Sequence, residues 1–469
     1  MTNPPLDHQY DIAILGSGPG GYVAAIRAAQ LGFKTVVVEK EALGGTCLNW
    51  GCIPTKALLK SSEVHHCIQN ASDFGISVQK VSIDVQQMVK RTRDVIAKFN
   101  TGIAHLLDKH NVKIIKGYGK INPAKNITVA TQEGDVEVCS KHLIIATGAT
   151  SRIMKGIEPD GNLIWSYKEA MIPDKLPKSI AIMGSGAIGV EFASFYSMLG
   201  VDVTIIEMQN RILVNEDAEI AALARQALNA RGVKVMTDTG LKYVEKRKEG
   251  LDIFCDTPSG AVTIKADRLI SAVGVVPNIE HIGLEHTNVV VERGCIKTNK
   301  YLQTAEQKIY AIGDVTSPPW LAHKASYDAV LCIESIAGIT RPRVIKPRSI
   351  PRAIYCHPQI ASIGLTEEQA RVEHKEIKIG KAYLSGNGKA VAIGEPEGLV
   401  KLIFAEDTGE LVGAHMIGAE TSEMIQGLSL VINMEGTELD IINTVFPHPT
   451  ISEAIHEAAL NAYGKGIHQ

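Results

Sequence analysis

The sequence predicts an α/β protein: two similar parallel-sheet units followed by an α+β domain. Three observations carry this. "YDIAILGSGPGGYVAAIRAAQLGFKTVVVEK" at 10–40 and "SIAIMGSGAIGVEFASFYSMLGVDVTIIEM" at 179–208 follow one plan. Each reads as a short apolar strand, a glycine turn, an apolar helix and a second strand ending in an acid. From residue 346 on, "YCHPQIASIGLTEEQA", "LVKLIFAEDTGELVGAHMIG" and "TSEMIQGLSLVINMEG" read instead as hairpin strands and helices, with "AEDTGE" a turn between two strands.

The glycines are Gly16, Gly18 and Gly21 in the first unit and Gly184, Gly186 and Gly189 in the second. The acids Glu39 and Glu207 each lie 23 residues beyond the first glycine of their unit. A lone glycine triplet says little. A triplet between strand and helix, with an acid closing the next strand, is specific. The glycines let the backbone approach a pyrophosphate whose charge sits at the helix N-terminus, and the acid accepts hydrogen bonds from a ribose. An ordinary βαβ unit with glycines only for packing is the plainer alternative, and two copies at equal spacing weigh against it. The chain is therefore expected to hold two Rossmann-like dinucleotide-binding domains. Glu207 favours a free 2′-hydroxyl and repels a 2′-phosphate, so NAD is expected over NADP. Arg211, four residues on, can equally face a pyrophosphate.

The landmarks between follow in order. "LIIATGA" at 143–149 is a strand running into a glycine turn, a plausible end to the first domain. "LISAVGVVPN" at 269–278 returns the chain from the second. "KIYAIGDV" at 308–315 puts Asp314 at a strand end, ready for a ribose or polyol hydroxyl, or simply a turn or cap residue. "TRPRVIKPRSIPR" at 340–352 reads as a linker, and "EKRKE" at 245–249 as a solvated hairpin tip.

Composition excludes several classes. Net charge is −3, which favours neither nucleic acid nor an anionic membrane as partner. The glycine-rich apolar runs carry Arg27 and Glu191, so no membrane span is read. The short stretch before "DIAILG" leaves no room for a secretory signal, and a cytoplasmic, bacterial-type protein is expected. Its eight cysteines are then expected to be mostly reduced.

Two of them stand in "GGTCLNWGCIPTK", residues 44–56. Cys47 and Cys52 could be a staple, a metal site or a reagent. Zinc needs four ligands, and His65 and His66 lie more than a helix away, so no metal is assigned. A staple closing so short a loop removes little unfolded-state entropy. Position favours redox chemistry. Pro54 suits the first turn of a helix over 54–67, which puts Cys52 near a helix N-terminus that favours a thiolate, with Lys56 one turn on. Cys47, further out, is the better partner for a substrate thiol.

"GGTCLNWGCIPTK" closely resembles the redox-active signature of the flavin-dependent pyridine nucleotide–disulfide oxidoreductases. The resemblance covers essentially the whole chain. It implies an FAD-binding domain with the redox disulfide at 1–149, an NAD-binding domain at 150–272, a return segment at 273–345 and a dimerisation domain at 346–469. It implies cofactor contacts at Gly16, Gly18, Gly21, Glu39, Lys56, Thr147, Gly148, Gly184, Gly186, Gly189, Glu191, Glu207, Gly274, Asp314 and Ala322. Lys56 is expected near the flavin, paired with Glu191. After Gly274 the chain reads "VVPN", where many members carry an Arg.

Within the family, "VFPHPTISEAIHEAAL" at 445–460 is similar to the branch that oxidises dihydrolipoamide. That resemblance makes His448 the general base, delivered from the partner subunit of a homodimer, and Glu453 its orienter. The residues by themselves allow two readings: a histidine suited to take a proton from a dithiol near neutrality, held by a carboxylate, or a capping box from Thr450 to Glu453. The tail "NAYGKGIHQ" lacks the cysteine pair of mercuric reductases. The expected partner is a lipoyl-bearing protein of a 2-oxo acid dehydrogenase or glycine cleavage complex. The alternative is a glutathione-reductase-like enzyme.

Overall fold

The computed structural model describes residues 9–339, 344 and 346–468. Residues 340–343 and 345 of the linker lie outside these. The chain packs as two compact units. One comprises the chain up to Ala57 with Gln87–Arg152 and Gly274–Val344; the other comprises Leu58–Gln86, Ile153–Val273 and the chain after Val344.

The first unit is built on a five-stranded parallel sheet. Its strand order is Ile309–Ala311, Ser140–Ile145, β1 (Tyr10–Leu15), β2 (Thr35–Glu39) and β3 (Lys113–Lys116). Such a sheet is covered on both faces, which is why its strands are continuous apolar runs. Ile12, Ile14 and Val37 pack with Ala24, Ala25 and Ala28 of helix α1 (Pro19–Gln30). Ala13, Leu15, Val36 and Val38 point the other way, toward Ile121, Ile127 and Val129 of a three-stranded meander. The pleat alternates side chains between the two layers. The connection leaving β1 returns on one side as β2 while Ser140–Ile145 lies on the other. The C-terminal end of β1 is thus a topological switch point, where ligands of open α/β sheets bind.

The second unit repeats the plan. Its parallel sheet runs Lys234–Met236, Asp202–Ile206, Ser179–Met183, Arg268–Ser271, Ile164–Trp165. A meander follows over Gly240–Arg247, Gly250–Thr257 and Gly260–Ala266, with the charged stretch at its first hairpin tip. The same unit holds a five-stranded antiparallel sheet: Arg352–Ile354, Gln359–Gly364, Leu411–Gly418, Leu399–Ala405, Ile377–Tyr383. The helices Thr421–Asn433 and Glu453–Ala462 contribute Met424, Ile425, Leu428, Ala454, Ala458 and Ala459 to its core.

One residue breaks the apolar run of Leu399–Ala405. Lys401 is only 2 % exposed. Its Nζ lies 2.9 Å from Asp217, 3.1 Å from Glu219 and 2.7 Å from Glu367. Burial pushes the lysine down, but hydrogen bonds to Glu367 and Asp217 outweigh it and the net shift is upward. A buried ammonium is tolerable only with such partners.

Candidate active site

The two glycine turns have the same construction. Gly16 and Gly184 sit at φ +103° and +100°, in the region that favours glycine. A Cβ on either would strike a carbonyl oxygen, that of Ala146 or of Ala272. A Cβ on Gly21 or Gly189 would strike the carbonyl of Gly16 or Gly184, so these third glycines seat the helix on its turn. Gly18 and Gly186 are the N-caps of α1 and of the helix Ala187–Ser197. Neither helix has a side-chain cap or an acid in its first turn, and space is open beside Gly186. Backbone donors at both turns therefore suit a pyrophosphate.

The acids are matched as closely. Glu39 Oε2 accepts the Ser17 N–H at 2.9 Å and the Ser17 hydroxyl at 2.6 Å, while Oε1 accepts the Glu41 N–H at 2.8 Å. Glu207 Oε2 accepts Ser185 N–H and hydroxyl at 2.9 and 2.6 Å, and Oε1 accepts the Gln209 N–H at 2.8 Å. Each carboxylate ties its own glycine turn and keeps acceptor capacity on Oε1 for a ribose hydroxyl. Ser17 and Ser185 escaped the sequence reading, although both follow the first glycine of the repeated pattern. Arg211 is committed elsewhere: its guanidinium meets Glu368 at 2.9 and 3.3 Å. Glu207→Arg is expected to raise the KM for NAD⁺ about ten- to hundredfold, the loss of charged hydrogen bonds worth about 1.5–3 kcal/mol, and to improve NADP⁺. Steady-state kinetics with both nucleotides checks this, and unchanged preference would misplace the ribose.

The redox segment lies against the first turn. The Gly44 N–H donates to the Ser17 carbonyl at 3.0 Å, and a Cβ on Gly45 would come within 2.7 Å of Gly18 Cα. Cys47 lies in a six-residue helix, α2 (Gly45–Trp50), and Cys52 opens α3 (Cys52–Gln69). The helix expected over 54–67 thus starts two residues earlier, with Pro54 in its first turn. The two sulfurs are 2.8 Å apart. The hydrogen bond to Cys52 raises the Cys47 thiol far above its ordinary range, with burial adding to it. Lys56 lies one turn into α3 and lowers Cys47 slightly through its charge.

His448 and Glu453 are brought together. His448 Nδ1 is 2.9 Å from Glu453 Oε1, and the Thr450 N–H donates to Glu453 Oε2 at 2.8 Å. One carboxylate oxygen thus serves the imidazole and the other serves the backbone. The Thr450 hydroxyl donates to the Pro447 carbonyl instead, so only half of a capping box forms. Burial raises Glu453, yet the Thr450 N–H and His448 outweigh it and leave the carboxyl below its usual range. The imidazole is 80 % exposed, presenting its other nitrogen outward.

The remaining positions are more varied. Asp314 sits in the turn Gly313–Val315 after its strand, and burial pushes it up to about 6, with Lys324 opposing. Ala322 begins the helix Ala322–Ile336, which also lacks a side-chain cap. The Thr147 hydroxyl is committed to the Asn278 carbonyl at 2.7 Å, and Asn278 Nδ2 donates back to the Thr147 carbonyl. Gly148 and Gly274 adopt positive φ, +70° and +100°, with open space beside them. Glu191, buried in the helix Ala187–Ser197, accepts the Tyr355 N–H at 3.0 Å. Among the described residues no helix is long and apolar enough to cross a membrane, and no cluster of three His, Cys, Asp or Glu is placed to hold a metal.

A cysteine pair against a glycine turn, with a second matching turn further along the chain, defines a class. The model of the pyridine nucleotide-disulphide oxidoreductases matches residues 10–329, and that of their dimerisation domain matches 350–459. The chain belongs to this family: it is a flavoprotein disulfide oxidoreductase with FAD and NAD as cofactors, and it carries the dimerisation domain of a homodimer. It is 49 % identical to the dihydrolipoyl dehydrogenase of Rhizobium etli, over 97 % of this chain and 98 % of that one. It is 42 % identical to the dihydrolipoyl dehydrogenase of Bacillus subtilis, over 98 % and 99 %. Among solved structures, LpdA from Mycobacterium tuberculosis superposes with a TM-score of 0.90 at 26 % identity, covering 96 % of this chain and 98 % of that one.

Proposed function

We propose that this chain oxidises protein-bound dihydrolipoamide to lipoamide with NAD⁺. The observation that carries the reading is the Cys47–Cys52 pair, 2.8 Å between sulfurs, at the start of α3 and against the first glycine turn. The names of the relatives supply the substrate. His448 takes a proton from one substrate thiol. The resulting thiolate attacks Cys47 Sγ, the Cys47–Cys52 bond breaks, and Cys52 leaves as a thiolate. The second substrate thiol then attacks the substrate sulfur bound to Cys47. The dithiolane closes, and Cys47 leaves and regains a proton. FAD, held at the first glycine turn, would supply the two-electron acceptor that lets the Cys47–Cys52 disulfide re-form and would relay the electrons to NAD⁺.

The chain's own residues do the rest. Glu453 holds the imidazole by Nδ1, so the other nitrogen faces the dithiol and the imidazolium is stabilised. His448 serves the cysteine pair of a second copy, which makes each site shared across the dimer. Lys56, one turn into α3, supplies positive charge near the redox pair. The lipoyl arm belongs to a subunit of a 2-oxo acid dehydrogenase or glycine cleavage complex, and the enzyme works in the cytoplasm.

Anaerobic titration of the yellow protein with dihydrolipoamide tests the reading. A long-wavelength thiolate-to-flavin band after two electrons, then reduction of added NAD⁺, is expected. Flavin reduction by NADH with none by dihydrolipoamide would overturn the substrate and favour a glutathione-like disulfide.

A further inference from the structure

Helix α2 is too short to be stable alone, since six residues close little more than one turn. It has no side-chain cap, and its N-cap Gly44 is in the left-handed conformation. What holds it comes from the helix Val85–Lys109. Arg93 Nη1 donates to the Asn49 carbonyl at 3.1 Å, near the C-terminal end of α2. The same guanidinium lies 4.0 Å over the Trp50 ring. Asn100 Nδ2 donates to Asn49 Oδ1 at 3.0 Å. Asn49 in turn is buried, and its Nδ2 donates to the Leu43 and Gly45 carbonyls, both at 2.9 Å. Two residues before Arg93, Arg91 Nη1 donates to the Ala57 carbonyl of α3 at 3.0 Å. One helix therefore grips both cysteine-bearing helices, α2 through Arg93 and Asn100 and α3 through Arg91.

We infer that Arg93 is a positioning residue for the redox pair, holding α2 so that Cys47 stays within bonding reach of Cys52 and the disulfide is favoured over the open dithiol. Arg93 touches neither sulfur and acts through Asn49 and Trp50. Closing a disulfide costs the freedom of the two thiols, and a frame that has already removed that freedom shifts the balance toward the closed form. The shape of the side chain is essential. A guanidinium caps a carbonyl and stacks on an indole at once, and an ammonium does not. The inference rests on the redox reading of the pair.

The test equilibrates FAD-loaded enzyme with oxidised and reduced dithiothreitol, without nucleotide. The Cys47–Cys52 disulfide takes two electrons and two protons as dithiothreitol closes to its cyclic disulfide. Rapid alkylation and the mass of the peptide bearing both cysteines give the disulfide fraction. Arg93→Gln is expected to shift the equilibrium toward the dithiol about tenfold, equivalent to about 30 mV for this two-electron couple. Arg93→Lys keeps the charge and is expected to stay shifted. Trp50→Leu and Asn100→Leu, which spare the arginine, are expected to move it the same way by a smaller factor. An unchanged equilibrium in Arg93→Gln, or full rescue by Arg93→Lys, overturns the positioning role. A wild-type pair that dithiothreitol never opens overturns the redox reading itself, and the inference with it.

Discussion

Cys47→Ser leaves a yellow, FAD-loaded protein that no longer reduces NAD⁺ with dihydrolipoamide. Serine cannot form the disulfide that the substrate thiolate attacks, so the exchange has no first step. Nothing in the glycine turn is removed: Gly44 still donates to Ser17, and α3 still begins at residue 52. Flavin retention and dye reduction by NADH are therefore expected to survive while dithiol turnover falls to background. Cys52 is left as a lone sulfur without the neighbour 2.8 Å away. Absorbance of the purified variant and dithiol-dependent NADH formation check both halves. Wild-type turnover in this variant would sink the assignment of the pair.

The second large effect is expected at His448. His448→Gln removes the proton acceptor while keeping a polar side chain beside Glu453. The Thr450 N–H still holds Glu453 Oε2, so the helix start Glu453–Ala462 is preserved. Dihydrolipoamide oxidation is expected to fall about 10²–10⁴-fold, the usual worth of a positioned acid–base group. NADH-to-dye transfer needs no proton from a dithiol and is expected to change little. Parallel loss of both activities would mean that the segment is structural, its carboxylate a cap and its histidine incidental.

The parts of this molecule legible in the sequence are those encoded by local stereochemistry. Gly16 and Gly184 occupy backbone conformations that favour glycine, and Gly21 and Gly189 lie where no Cβ fits, so the pattern had to be written in glycine. His448 and Glu453 are five residues apart and could be paired on paper. Helix α2 was not legible: "GTCLNW" sits between glycines, and the side chains that hold it, Arg93 and Asn100, arrive from a distant helix. Nor was the role of Thr147, whose hydroxyl is spent on Asn278 far along the chain. Long-range partners of single polar groups leave no periodic trace.

Lys401 bears on how far this chain can be taken apart. Read along its length, the nucleotide-binding stretch 179–271 and the sheet after 350 look like separable modules. Yet the ammonium buried in Leu399–Ala405 finds two of its three carboxylates, Asp217 and Glu219, at the start of the helix Ala218–Ala230. A C-terminal fragment expressed alone would carry that charge into its core with only Glu367 beside it. Stripping partners from a buried ion costs about 3–5 kcal/mol, a large share of the stability of a whole domain. Modularity in the order of motifs is thus not autonomy in folding, and a swap of the nucleotide-binding module between relatives must carry its acidic helix start along with it.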